Sequence, residues 1–337
     1  VMNILTDIWS SAYILGDAVL ARLISATMVR LSLVHGNVEE SAYGYVTHAI
    51  TVGPVRGDYE SAYEFGILAL RVNERFNDSR RRAKIHQQFH AHVNLWRQPM
   101  QTCIPYAREA CRSGLETGDF LYAAYGASTE TWPAMVSTQD LAQFVRDYSA
   151  SLALINKLKA TGFADSLKII LNWARALQGR TRAPLSLSDD AIDENAYVET
   201  YRGNPFFTTF YAVSKLQLCY AFGEYGAALE AARTAREVVY HLSGTIWPVV
   251  FDFWNGLTLA ANYADAAEDE RRVYLTELER VGQSLAVLAQ NCPENFLCQS
   301  LLLSAEHARL TGQQLAALDL YERAIRYAEE TSALQHQ

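Results

Sequence analysis

The sequence predicts an all-α fold, a superhelix of stacked helical hairpins. Apolar residues recur at three- and four-residue steps along most of the chain, as in 151–179 (SLALINKLKATGFADSLKIILNWARALQG) and 257–290. Strand-like alternation is absent, and no Asn-Gly or Asp-Gly pair joins β-branched runs. A turn glycine followed by a helix with small residues at fixed places returns several times. Chain length over mean helix-plus-loop length gives roughly 14 to 18 helices.

In chain order, the first clear hairpin is SAYGYVTHAITVGPVRGDYESAYEFGILALRVNE (41–74), with its turn at Gly57-Asp58 and small residues at Ala62, Gly66 and Ala69. Gly118-Asp119-Phe120 is followed by Ala123 and Ala127. Gly223-Glu224-Tyr225 is followed by Ala228, Ala232 and Ala235, and Gly312 by Ala317 and Ala324. Each pattern is a tight turn into a helix that must lie close against the one before it. A lone hairpin cannot bury its apolar face, so neighbours stack. Several of the eight prolines (Pro99, Pro133, Pro205, Pro248, Pro293) fall where helices begin or end. Residues 1–337 read as one helical-repeat domain with an irregular connector at 180–205, inside the aperiodic stretch 178–205. The acidic residues there (Asp189, Asp190, Asp193, Glu194) lack the glycine and terminal glutamate of a calcium loop and read as a solvated loop entering a helix.

Composition narrows the function. Half of the 337 residues are hydrophobic and the net charge is −8. An acidic chain argues against nucleic-acid binding and against a polybasic membrane anchor. No unbroken run of about 18 apolar residues is seen, so no membrane span is expected. The start lacks a secretory signal and is not Met, which reads as a cytoplasmic piece of a longer protein. Cys103, Cys111, Cys219, Cys292 and Cys298 match no disulfide framework and read as small buried thiols.

No catalytic constellation stands out, so the segment reads as non-enzymatic and free of cofactors and metals. The phosphate loop G-x-x-x-x-G-K-[ST], the kinase motifs and G-x-S-x-G are absent. His86 and His90 share a helix face, but H-E-x-x-H is not formed, so interhelix or surface histidines are expected. RRRAK (80–84) reads as a solvated basic face. The nineteen tyrosines and six tryptophans read as interhelix wedges or as a ligand groove.

The Gly-acid-aromatic turns resemble the second half of the tetratricopeptide repeat, which implies a right-handed superhelix with a concave groove. Over about residues 10–330, SLVHGNVEESAYGYVTHAI, HVNLWRQPMQTCIPYAREACRSGLETGDFLYAAYG and CPENFLCQSLLLSAEHARLTGQQLAALDLYERAIRYA, among others, resemble the helical-repeat region of large bacterial signalling proteins. Those proteins join a serine/threonine kinase, a STAND-class ATPase and sensor histidine-kinase modules. The resemblance implies a segment that docks a partner or senses a ligand and passes the result to neighbouring domains. The alternatives are a small-molecule receptor enclosed by the superhelix and a structural spacer.

In such hairpins the first helix lines the groove. Counting ten, six and three residues back from each turn glycine offers Thr47 and Thr51; Arg108, Arg112 and Leu115; Val213, Gln217 and Tyr220; and Leu302, Glu306 and Arg309. The candidate binding residues among them are Thr47, Thr51, Arg108, Arg112, Gln217, Tyr220, Glu306 and Arg309. Arg108 and Arg112, one helical turn apart, suit a carboxylate or phosphate. The expected partner is a protein or peptide, including neighbouring domains of the same chain, or a small anionic ligand.

Overall fold

The computed structural model describes residues 1–14, 16–137 and 140–330. Every regular element among them is helical. The chain divides into two compact units, Val1–Pro133 with Lys157–Ala160, and Ala134–Asn156 with Thr161–Gln337.

The first unit contains α1 (Met2–Ile14), α2 (Ala18–His35), α3 (Ser41–Ile50), α4 (Tyr59–Phe76), α5 (Ser79–His92), α6 (Cys103–Thr117) and α7 (Phe120–Thr129). A π-helical segment, Thr51–Val55, extends α3 and contains Pro54, whose missing N–H suits a loosened turn. α8 (Thr131–Ser137) crosses the division between the units. The second unit continues with α9 (Leu141–Lys157), α10 (Thr161–Leu177), α11 (Glu194–Thr200), α12 (Pro205–Ala221), α13 (Tyr225–Val238), α14 (Trp247–Asn262), α15 (Glu268–Asn291), α16 (Pro293–Leu310) and α17 (Gln314–Glu330).

The repeated turns have one geometry. Gly57, Gly118, Gly223 and Gly312 all sit at φ between 76° and 78°, the left-handed region that costs glycine least. The residue after the glycine starts the next helix: Asp58 and Asp119 cap the N–H groups of Ser61 and Tyr122. The small residues then permit close crossing. Ala62 Cβ lies 2.9 Å from the point where a Cβ on Gly53 would stand. Ala69, Ala123, Ala228 and Ala235 are fully buried.

Adjacent helices pack pairwise, α3 on α4, α5 on α6, α6 on α7, α12 on α13, α15 on α16 and α16 on α17. Alternate helices also touch. α3, α5 and α7 form one row in the first unit, and α12, α14 and α16 form another in the second. Met28, Tyr43, Ile85 and Phe89 centre the first core. Phe210, Trp247, Phe251, Phe253 and Phe296 are fully buried in the second unit. Burying such a side chain contributes about 1.5–3 kcal/mol.

Three local features depart from the sequence reading. Arg81, within RRRAK, is buried and bridges Asp78 at 2.8 Å and Glu40 at 2.8 Å. α2, by length and composition alone, could cross a bilayer. One third of it is buried, and Val19, Leu23, Leu33 and Val34 are exposed. The stretch 178–193 is irregular but pinned: Leu187 is buried, its carbonyl accepts from Asn172 at 2.9 Å, and Arg175 pairs with Asp189 at 3.0 Å.

Candidate functional site

The row α3–α5–α7 is covered by α1, which touches all three helices. Trp9 packs edge-on against Tyr43 of α3, with ring centroids 5.7 Å apart. Ser10 Oγ lies 2.9 Å from the Tyr43 hydroxyl and 3.5 Å from that of Tyr122 on α7. Tyr13 meets His92 of α5 edge-on at 5.6 Å. At the other end of α1, Arg81 Nη2 donates to Asn3 Oδ1 at 2.9 Å. Trp9 and Tyr13 are one turn apart and stacked on each other at 5.0 Å, so they enter the surface as a unit.

The covered surface is polar and aromatic rather than purely apolar. Tyr43 and Tyr122 are buried, and desolvation raises both phenols above their usual range, so the hydroxyls stay protonated hydrogen-bonding groups. His90 is buried and its Nε2 lies 2.9 Å from Thr129 Oγ1. Burial pushes His90 down to about 3 and His86 down to about 4, so both are neutral near pH 7. The carboxamide oxygens of Gln87 and Gln88 and the Nδ1 atoms of His86 and His90 are buried without partners, and His86 faces Tyr106 of α6 rather than α1. The Tyr43 and Tyr122 hydroxyls and the His92 ring are what favour a covering element that brings a hydroxyl and aromatic edges.

The residues selected from the sequence fall in several settings. Thr47, on α3, is buried and its hydroxyl bonds back to the carbonyls of Tyr43 at 2.8 Å and Gly44 at 3.2 Å. Thr51 opens the π-helical segment and is half-buried. Arg108 and Arg112 lie on α6, which packs against α5 and α7 and stands outside the row of α3, α5 and α7. Each guanidinium already holds a carboxylate of this chain. Arg108 reaches Glu130 at 2.9 Å, and Arg112 reaches Glu109 at 2.7 Å and Glu116 at 2.6 Å.

In the second unit the selected residues lie on two helices of the α12–α14–α16 row. Gln217 and Tyr220 lie on α12, and Glu306 and Arg309 on α16. Gln217 is buried, and its Nε2 makes no hydrogen bond. Burial pushes Tyr220 up to about 12, and the charges of Glu306 and Arg309 reach its phenol. Tyr220 packs tilted against Tyr225 and edge-on against Trp254, with ring centroids 5.4 Å apart in each case. Glu306 holds Arg309 and accepts from the Tyr321 hydroxyl.

Sequence counting from the turn glycines missed Trp9, Ser10, Tyr13, Tyr43 and Tyr122. A repeat marks two of them without naming their surface: Ser-Ala-Tyr recurs at 11–13, 41–43 and 61–63, and the tyrosine of its third copy, Tyr63, packs on Phe89 instead.

Among the described residues, no group of three or more His, Cys, Asp or Glu gathers as a metal site. The five cysteines are unbridged, and burial pushes the Cys103 thiol up to about 12 and that of Cys298 up to about 11, which leaves them unreactive thiols.

No family model matches the chain, and no curated protein matches it.

Proposed function

We propose that this chain is a non-catalytic docking segment built as a tetratricopeptide-like, right-handed solenoid, within a multidomain signalling protein of the STAND ATPase and kinase type. The repeated left-handed glycines, the small residues at hairpin crossings and the contacts between alternate helices support the solenoid. A right-handed stack of such hairpins buries each apolar face against the next. The signalling context rests on the sequence resemblance alone.

One observation carries the docking role: the row α3–α5–α7 accepts a helix, α1, through an aromatic pair and a hydroxyl. Tyr43, Tyr122 and His92 receive Trp9, Ser10 and Tyr13. A partner helix with an aromatic pair at i, i+4 would dock in the same way, in place of α1. The partner is therefore a protein segment, from another domain of the same protein or from a separate chain. A spacer would have no use for a polar, hydroxyl-lined surface of this kind.

The test uses the full chain with Trp9→Ala and Tyr13→Ala, which loosens its own α1. A fluorescein-labelled peptide of residues 2–14 should bind this variant saturably and should not bind the unaltered chain at the same concentrations. A variant that keeps its helical circular dichroism yet shows no peptide binding would remove the docking reading.

A further inference from the structure

α13 and α15 stand apart over α14 and leave a cleft of about 650 Å³. Leu229 and Arg233 of α13 form one wall, and Glu270 and Val273 of α15 the other. Arg236 and Glu277 pair across the cleft at 3.0 Å, and the Arg236 guanidinium lies over the Phe251 ring. The volume is that of a site for a small molecule or a few residues of peptide.

Asn255 and Leu259 of α14 belong to the lining as well. Asn255 is only 2% exposed, and its Nδ2 makes no hydrogen bond. A buried donor without a partner lowers stability, and an apolar side chain of the same size would remove that penalty. The carboxamide therefore points to something the cleft takes in. A carboxamide offers one acceptor and a donor pair, the complement of a peptide group.

Charge narrows the ligand further. The cleft residues include three arginines (Arg233, Arg236, Arg272) and three carboxylates (Asp269, Glu270, Glu277). An ion of either sign would gain from one set and lose to the other. A neutral dipolar group loses to neither, and Leu229, Leu259 and Val273 provide apolar contact for a side chain beside it.

We propose that this cleft is a peptide-docking site, in which Asn255 pairs with a main-chain amide of an extended segment and an apolar side chain of that segment packs between Leu229 and Val273. It is independent of the surface under α1, and either site can fail without the other.

The probe is N-acetyl-L-leucine N-methylamide, titrated into the full chain while the Asn255 side-chain amide is followed by nitrogen-15 NMR. Saturable shifts with half-saturation of about 1 mM are expected, as suits so small a ligand. Asn255→Leu should weaken binding by about fivefold or more, the loss of a hydrogen bond, and should leave Tm unchanged or higher. Val273→Asp, at a position 65% exposed and therefore harmless to the fold, should also weaken binding. The anion N-acetyl-L-leucine should bind less well than the neutral probe. The proposal is overturned by no saturable shift up to about 20 mM, a range that covers weak fragment affinities. Equal affinity in Asn255→Leu, a lower Tm in that variant, or tighter binding of the anion would each overturn it too.

Discussion

Tyr13 stands edge-on to His92, with ring centroids 5.6 Å apart and planes at 89°. This contact ties α1 to α5, and with the Ser10 contacts to Tyr43 and Tyr122 it lays α1 across the row of α3, α5 and α7. The row is thus a surface with an occupant, and its chemistry can be read from what the occupant brings.

Glycine positions test the packing of the hairpins. A Cβ at Gly126 would stand 2.6 Å from Cys111 N and 2.8 Å from Ala107 O, both backbone atoms that cannot swing aside. Gly126→Ala should therefore destabilise by about 3 kcal/mol, the upper end of overpacking costs. Gly282, inside α15, has nothing within 4 Å of its Cβ position, so Gly282→Ala should stabilise by about 0.5–1 kcal/mol. Urea denaturation of both variants checks the pair, and equal shifts would show that α6 and α7 are not in such close contact.

The buried cation of the first unit should be costly to remove. Arg81→Met leaves Asp78, whose side chain is 3% exposed, without its guanidinium. Breaking a buried pair on one side typically costs about 3–5 kcal/mol. Adding Asp78→Asn should recover part of that loss, since the orphaned charge is gone and Asn still caps α5. Thermal unfolding of the single and double variants measures both steps.

Acid should weaken the fold through its histidines. His90, pushed down to about 3 by burial, stays neutral in the folded chain while an unfolded histidine takes up a proton below about 6.5. The unfolded state then binds more protons, so stability falls as pH drops from about 6.5 towards 4, by up to about 1.4 kcal/mol per pH unit for this residue. His86, pushed down to about 4, adds to the same slope. His90→Gln should flatten the dependence over this window. An unchanged slope in that variant would place the proton uptake elsewhere.

ATP should neither bind nor be hydrolysed by the purified chain, because no phosphate-cradling glycine loop is present. Calorimetry showing stoichiometric nucleotide binding would contradict a purely docking role.

The turns and the small residues behind them were legible in the sequence because they answer local demands. A left-handed residue calls for glycine, a capping residue for Asp, and a close crossing for alanine, and all three lie within a few positions at Gly57, Asp58 and Ala62. Partnerships between distant segments were not legible. Arg81 looks like its neighbours in a basic run, and only the fold brings Glu40 to it. Counting back from Gly118 placed Arg108 and Arg112 on the first helix of a hairpin, but alternate-helix contacts put α5 and α7 in the row and leave α6 beside it. The covering helix was the hardest to foresee. Trp9 and Tyr13 have ordinary helical spacing, and nothing nearby in sequence says which surface they meet.

Native-state hydrogen exchange on the intact chain tests the docking surface most directly. If α1 is a removable occupant of the α3–α5–α7 row, its amides should exchange through a local opening that needs little denaturant-sensitive exposure, while those of α3, α5 and α7 exchange only near the global unfolding free energy. Trp9→Ala with Tyr13→Ala should lower protection in α1 and leave the row protected. Exchange of α1 at the same free energy and denaturant dependence as α3, α5 and α7 would contradict the account, since α1 would then be an inseparable part of the core.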